Sequence, residues 1–163
     1  MKITVAESCT SGLVAAELGR VPGASRWFCG SAVVYRNQTK TDWLGVPKEL
    51  LDDPQIGPVS EPVAAAMCEG LLRRTSEANW AFSITGHLGP NAPAGLDGIL
   101  FIASQPRNGS PTIHPHQLPP PSPTSEQLPP LRHLRQQTAT KLVLQTILEG
   151  LSRRIRLIRS TAE

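Results

Sequence analysis

The chain is poor in cysteine and in aromatic residues, and each shortage excludes a class of protein. Its 163 residues contain three cysteines, an odd number without the paired spacing of a disulfide framework or a zinc site. No charged and then apolar leader precedes the first apolar run, so we expect a protein of the reducing cytoplasm. Aromatic residues make up 4% of the chain. None interleaves with the basic residues, as a nucleic-acid surface would need, so we expect no nucleic-acid partner.

Long apolar runs and a strong excess of charge are also missing. No apolar segment is long enough to span a bilayer, so we expect no membrane partner. The formal net charge is only +3, and the basic residues concentrate towards the C-terminal end, which is typical of a solvated helix face. A chain of this length buries enough surface to fold as one domain, residues 1–163, without a metal or a disulfide.

Apolar β-rich runs alternate with segments of helical periodicity, which is typical of an α/β layer fold. The predicted strands are residues 2–6, 28–35, 80–84, 98–103 and, more weakly, 112–118. The predicted helices are residues 10–18, 39–44, 61–74 and about 131–158. The last helix carries apolar residues at steps of three and four, including Leu134 and Leu148, and this stripe is expected to dock on the sheet.

Residues 106–130 form a proline-rich segment with nine prolines. Proline lacks the backbone N–H and fixes φ, so most of this segment cannot be a helix or a central strand. We expect an extended surface connection before the last helix. Recruitment of a proline-reading domain is the alternative interpretation.

A serine follows the first predicted strand and comes just before a helical pattern. Ser8 stands between the apolar run Ile3–Ala6 and the segment Thr10–Gly12. The first N–H groups of a helix lack intrahelical partners and lie at the positive end of its dipole, so they can hold a phosphate or an oxyanion. Serine and threonine are also the commonest N-caps, and the local pattern leaves both roles open.

Tyr35 and Lys40 offer a second pair of chemical groups, at the end of the second predicted strand. Side chains five residues apart can point at one spot only across a strand-to-helix corner. If the first two strands are neighbours, this corner lies beside Ser8, at the sheet edge where ligands of open α/β sheets bind. A lysine held neutral can remove the proton of a serine. Alternatively, Lys40 is a solvated helix residue and Tyr35 an exposed aromatic.

Six ordered blocks of the chain resemble the CinA C-terminal domain family. The blocks are Val5–Gly12, Val21–Ser25, Val33–Lys40, Leu44–Val46, Val59–Val63 and Ile84–Pro90. That family includes the nicotinamide mononucleotide amidohydrolases, also called NMN deamidases. The resemblance implies a three-layer α/β/α sandwich around a mostly parallel or mixed sheet of about five strands. It also implies a homo-oligomer that converts the nucleotide nicotinamide mononucleotide to nicotinate mononucleotide and ammonia.

The resemblance assigns residues to the reaction. It implies Ser8 as the nucleophile, with Tyr35 and Lys40 as the other catalytic residues. Backbone N–H groups near Cys9 and Thr10 are expected to hold the oxyanion. No metal and no organic cofactor is implied. The expected substrate-binding residues are Cys9, Thr10, Ser11, Gly12, Asn37, Thr85, Gly86 and Gly89.

The chain departs from the family pattern at its glycine-containing turns. Ser11 stands where the family usually has glycine, and His87 and Leu88 interrupt a turn that usually reads Thr-Gly-Ile-Ala-Gly-Pro. The loop after Pro90 also differs, and we assign His87 no role in the reaction. A noncatalytic nucleotide-binding or partner-binding module on the same scaffold is therefore the alternative. Family members commonly have a helix before the first strand, so we expect the last helix or a partner subunit to cover that face.

Overall fold

A five-stranded mixed sheet forms the centre of the molecule, as a computed structural model shows for residues 1–120 and 130–160. The strands are β1 (Ile3–Glu7), β2 (Phe28–Val33), β3 (Trp80–Gly86), β4 (Ile99–Pro106) and β5 (Thr112–Gln117). Their order in the sheet is β2-β1-β3-β4-β5. β1 runs parallel to β2 and β3, whereas β4 is antiparallel to both of its neighbours.

Helices cover both faces of the sheet, so the three-layer α/β/α prediction is confirmed. The helices are α1 (Leu13–Gly19), α2 (Asn37–Leu44), α3 (Lys48–Asp52), α4 (Glu61–Arg74) and α5 (Leu131–Ser160), with a single 3-10 turn at Ala24–Arg26. α2, α3 and α4 pack on one face around buried residues such as Met67. α1 and α5 pack on the other face around residues such as Phe82.

The first helix begins three residues later than the predicted start at residue 10. Ser11 has φ 54° and Gly12 has φ 96°, both in the left-handed region that a right-handed helix cannot include. Helix α1 therefore starts only at Leu13. The sequence pattern also missed α3, which is too short for a clear periodicity.

Helix α5 docks on the sheet with only part of the predicted stripe. Leu134 and Leu148 are 36% and 66% exposed. The side chains turned into the core are Ala139, Val143 and Ile147, all nearly inaccessible to solvent. The predicted stripe correctly included Ile147, together with Leu142 and Leu151, which pack against the core, but it missed Ala139 and Val143.

Part of the proline-rich segment belongs to the sheet. β5 pairs only with β4, and this edge position tolerates Pro115 because one side of the strand needs no sheet hydrogen bonds. The weakly predicted strand at residues 112–118 is therefore confirmed as β5, an edge strand within the segment expected to be a connection. Residues 121–129 lie outside the described part of the chain. Among the helices of residues 1–120 and 130–160, none has the length and apolar content that a bilayer crossing requires.

Candidate active site

A polar cavity of about 210 Å³ lies where the parallel strands β1, β2 and β3 end. Register places Glu7, the last residue of β1, beside Val33 of β2 and Ile84 of β3. The structure thereby brings most of the predicted site residues together. Those that line the cavity are Ser8, Cys9, Tyr35, Asn37, Lys40, Thr85, Gly86 and Gly89. Thr10, Ser11 and Gly12 are not among its lining residues.

Ser8 sits in the turn that leaves β1, where its carbonyl accepts a hydrogen bond from the N–H of Ser11 at 3.2 Å. Its own N–H donates to the carbonyl of Ile84 at 3.1 Å, which fixes the turn against β3. Within residues 1–120 and 130–160, the N–H groups of Cys9 and Thr10 have no hydrogen-bond acceptor. Thr10 is fully buried and does not line the cavity, so of these two donors only the N–H of Cys9 is placed to hold an oxyanion there.

Lys40 is buried, although it lies on the short exposed helix α2. Its side chain is only 2% exposed, which excludes the interpretation of a solvated helix residue. Burial lowers the pKa of the Lys40 ammonium from its ordinary value, against a smaller opposite effect from Cys9. No carboxylate of the described residues lies within ion-pair distance of it. A larger fraction of this amine is thus neutral than in an exposed lysine.

Cys9 lines the cavity as a neutral thiol. Burial raises the pKa of Cys9 to about 12, so the thiolate is not populated near neutral pH. Its backbone carbonyl accepts a hydrogen bond from the Gln136 side-chain amide at 3.0 Å, which ties the turn to α5. The side chain is therefore suited to packing rather than to nucleophilic attack.

Arg132 enters the cavity from the first turn of α5, and sequence reasoning had placed it in the solvated basic face. One guanidinium nitrogen donates to the hydroxyl oxygen of Tyr35 at 2.6 Å, and the other donates to the carbonyl of Gly89 at 2.8 Å. Tyr35 is 52% exposed, so this contact is what fixes its hydroxyl. No local pattern signals the role, because the contact joins residues 97 positions apart.

Glu7 occupies the start of α1, where the sequence predicted a ligand. Its carboxylate is fully buried and accepts five hydrogen bonds. The donors are the hydroxyls of Thr10 (2.8 Å) and Ser31 (3.1 Å) and the N–H groups of Gly12 (3.0 Å), Val14 (3.1 Å) and Ala15 (2.8 Å). The expectation that the N–H groups of the helix start hold a ligand is therefore wrong, because a side chain of the protein already satisfies them.

The end of β3 and the loop that follows it close the cavity, and several contacts fix this segment. The Thr85 hydroxyl donates to the carbonyl of Pro58 at 2.7 Å. Gly86 leaves no room for a side chain, because a Cβ there would lie 2.6 Å from the Cβ of Leu100. Further along the loop, Arg135 donates to both carboxylate oxygens of Asp97 at 2.7 and 2.9 Å. This bidentate pair anchors the loop to α5.

Asn37 and His87 also line the cavity, and neither side chain forms a hydrogen bond with another described residue. Asn37 is the first residue of α2, but Arg36 and Thr39 provide the cap, so the Asn37 amide is not used for capping. His87 lines the wall, and burial lowers its pKa while Asp97 opposes that shift. In the part of the chain that the structure describes, no three His, Cys, Asp or Glu side chains form a metal-binding group.

Comparison with known proteins places this geometry in a family. The chain is 46% identical over 102 residues to a CinA-like protein of Synechococcus sp. (strain CC9311), and the aligned region covers 61% of this chain and 23% of that protein. It is 41% identical over 104 residues to the nicotinamide-nucleotide amidohydrolase PncC of Pseudomonas putida, covering 63% of each. The chain thus spans about a quarter of the length of its CinA-like relatives.

Solved structures show the same architecture. The competence/damage inducible protein CihA of Agrobacterium tumefaciens superimposes with a TM-score of 0.79 at 29% identity, over 91% of this chain and 84% of that one. The model of the CinA C-terminal domain matches residues 1–121. That match includes every predicted catalytic residue and three-quarters of the sequence, and on this basis the chain belongs to the CinA C-terminal domain family.

Proposed function

We propose that the protein is an amidohydrolase that converts nicotinamide mononucleotide to nicotinate mononucleotide and ammonia. The observation that carries the proposal is the buried Lys40 amine in the same cavity as Ser8. A lysine with a lowered pKa and no paired carboxylate is suited to act as a base towards a serine. The name of the Pseudomonas putida relative supports the choice of substrate.

In the first half of the reaction, Ser8 attacks the carboxamide carbon. The neutral Lys40 amine takes the proton of the Ser8 hydroxyl, directly or through Tyr35, as the new C–O bond forms. The N–H group of Cys9 holds the oxyanion, a contribution worth about 3 kcal/mol per donor in other acyl-transfer enzymes. The Lys40 ammonium then gives its proton to the amide nitrogen, the C–N bond breaks and ammonia leaves.

In the second half, water releases the acyl group from Ser8. Lys40 is neutral again after ammonia has left, and it takes a proton from the attacking water. Collapse of the second tetrahedral intermediate breaks the bond to Ser8, whose oxygen recovers the proton from Lys40. The cycle needs no metal and no organic cofactor, since one amine moves both protons.

The charges of the cavity suit a substrate with one anionic group. Lys40 and Arg132 line it, whereas no aspartate or glutamate does among the described residues. Arg132 is already held by Tyr35 and Gly89, so its guanidinium is preorganised. We assign it to the phosphate of the nucleotide, with which a guanidinium forms charge-assisted hydrogen bonds. Thr85, Gly86, Gly89 and Asn37 would then surround the ribose and the ring.

Thr10, Ser11 and Gly12 support the site from outside the cavity. Thr10 and Gly12 donate hydrogen bonds to the Glu7 carboxylate. They thereby hold the residue that directly precedes the proposed nucleophile, Ser8. We also propose that the protein is located in the cytoplasm and assembles as a homo-oligomer. The three free cysteines fit a reducing compartment.

Ammonia release from nicotinamide mononucleotide tests the proposal directly. The purified chain should release ammonia and nicotinate mononucleotide in equal amounts. Ser8→Ala should lower kcat at least 100-fold while the protein still binds the nucleotide. Saturable binding without any ammonia would contradict the proposal and favour the noncatalytic nucleotide-binding module.

A further inference from the structure

A second and larger cavity adjoins the catalytic cavity. This groove has a volume of about 830 Å³ and runs between the loop of residues 51–62 and the loop that follows β3. Pro58, Val59 and His87 line both the groove and the catalytic cavity. A molecule bound at Ser8 can therefore extend past these three residues into the groove.

The two cavities carry opposite charges. Lys40 and Arg132 line the catalytic cavity, while neither of them lines the groove. The groove presents the acidic residues Asp53 and Glu61, together with Asp52, and no lysine or arginine among the described residues. Asp52 faces Lys48 at 3.9 Å, but Asp53 and Glu61 have no such ion pair in the described ranges. The groove therefore favours a cationic group and disfavours an anion.

The remaining groove wall is largely apolar. Leu51, Ile56, Leu96, Ile99 and Phe101 contribute to it. Such a wall suits an alkyl chain or an aromatic ring, because removal of apolar surface from water favours binding. Nothing in the reaction of an unsubstituted carboxamide uses this space, since its leaving group is only ammonia.

We propose that the groove binds the amine portion of N-substituted amides, so that the substrates include secondary amides whose leaving group is an alkylamine or a diamine. This inference rests on the proposed function and extends it. Because Pro58, Val59 and His87 line both cavities, a substituent on the amide nitrogen of a substrate bound at Ser8 can reach the groove. The acidic residues then attract the amine.

The chemical step is the same as for a primary amide. The Ser8 oxygen forms a bond to the carbonyl carbon, and Lys40 passes the serine proton to the substituted nitrogen. The C–N bond breaks with its electron pair on nitrogen, and the leaving group is R–NH2 in place of ammonia. In the groove or in water this amine takes up a proton as R–NH3⁺, which Asp53 and Glu61 attract.

Three substrates test the proposal: nicotinamide mononucleotide and its N-butyl and N-(4-aminobutyl) amide derivatives. Release of amine and of nicotinate mononucleotide is followed by chromatography. The decisive variant is Asp53→Asn combined with Glu61→Gln, which removes both charges and keeps the side-chain sizes. The Asp53 carboxylate accepts a hydrogen bond from the N–H of Gln55, and asparagine can preserve it. Glu69→Gln, another exposed glutamate of α4 but outside the groove, is the matched control.

We expect the wild-type protein to release amine from both derivatives. The double variant should lower kcat/KM for the N-(4-aminobutyl) amide about 5- to 10-fold, as loss of two partly exposed charges implies, and leave the N-butyl amide and the parent nucleotide unchanged. Ammonia release from the parent without amine release from either derivative would overturn the groove proposal and leave the proposed function intact. Amine release from either derivative without ammonia release from the parent nucleotide would overturn the proposed function and leave the groove proposal intact. An equal loss on all three substrates would overturn the charge argument.

Discussion

At the scale of single residues, the burial of Lys40 lowers the stability of the fold and favours the proposed function. It is among the largest side chains in the molecule that are almost fully inaccessible to solvent. Transfer of an ammonium into such an environment is unfavourable, and no carboxylate of the described residues compensates for it. The same desolvation lowers the pKa of the Lys40 amine. In the proposed reaction, the base is therefore a residue that destabilises the fold.

Replacement of Lys40 by methionine should abolish activity and stabilise the fold. Because the folded pKa lies below the unfolded value of about 10.5, the unfolded chain binds more protons between these two values, and wild-type stability rises with pH there. Methionine removes this titration. In urea unfolding, Lys40→Met should exceed the wild type in free energy of unfolding at pH 7, by a margin that narrows as the pH rises towards 10.5. The exposed Lys48→Met is the control, and a Lys40→Met protein less stable than wild type at pH 7 would contradict the argument.

At the scale of elements, the predictable parts are those with a local cause. Helix α4 begins and ends at the predicted residues, because Ser60 and Pro62 mark its start and its apolar face is continuous. The start of α1 was not predictable from local pattern. It depends on the Glu7 carboxylate and on two left-handed residues, which together replace an ordinary side-chain cap. A capping carboxylate on the preceding strand does not have the sequence spacing of an N-cap.

The turn before α1 should tolerate glycine better than its natural serine. Ser11 is exposed and has φ 54°, a conformation that disfavours a Cβ. Ser11→Gly should therefore raise the free energy of unfolding by about 0.5–1 kcal/mol, after the greater flexibility of glycine in the unfolded chain is included. Ser11→Ala, which keeps the Cβ and removes the hydroxyl, should give no such gain. Thermal unfolding of the two variants decides the matter, and equal melting temperatures would argue against strain at this residue.

At the scale of the whole molecule, the candidate site joins segments from both ends of the chain. The family resemblance predicts Ser8, Tyr35 and Lys40 as site residues, and the structure places all three in one cavity. The resemblance could not supply Arg132, since the Tyr35 contact depends on where α5 docks against the sheet. The docking itself follows from small buried residues that the leucine pattern did not reveal. Long-range packing, rather than local propensity, therefore completes the site.

If Arg132 both fixes Tyr35 and binds phosphate, these two roles can be separated by choice of substrate. Arg132→Lys keeps the positive charge but cannot span the Tyr35 hydroxyl and the Gly89 carbonyl at once. Loss of a charge-assisted hydrogen bond is worth about 1.5–3 kcal/mol, so KM for nicotinamide mononucleotide should rise at least tenfold. The riboside, which lacks the phosphate, should show a smaller change in KM, and the exposed Arg154→Lys should change neither. Equal increases for nucleotide and riboside would show that Arg132 only holds the loop and Tyr35, and that the phosphate binds elsewhere.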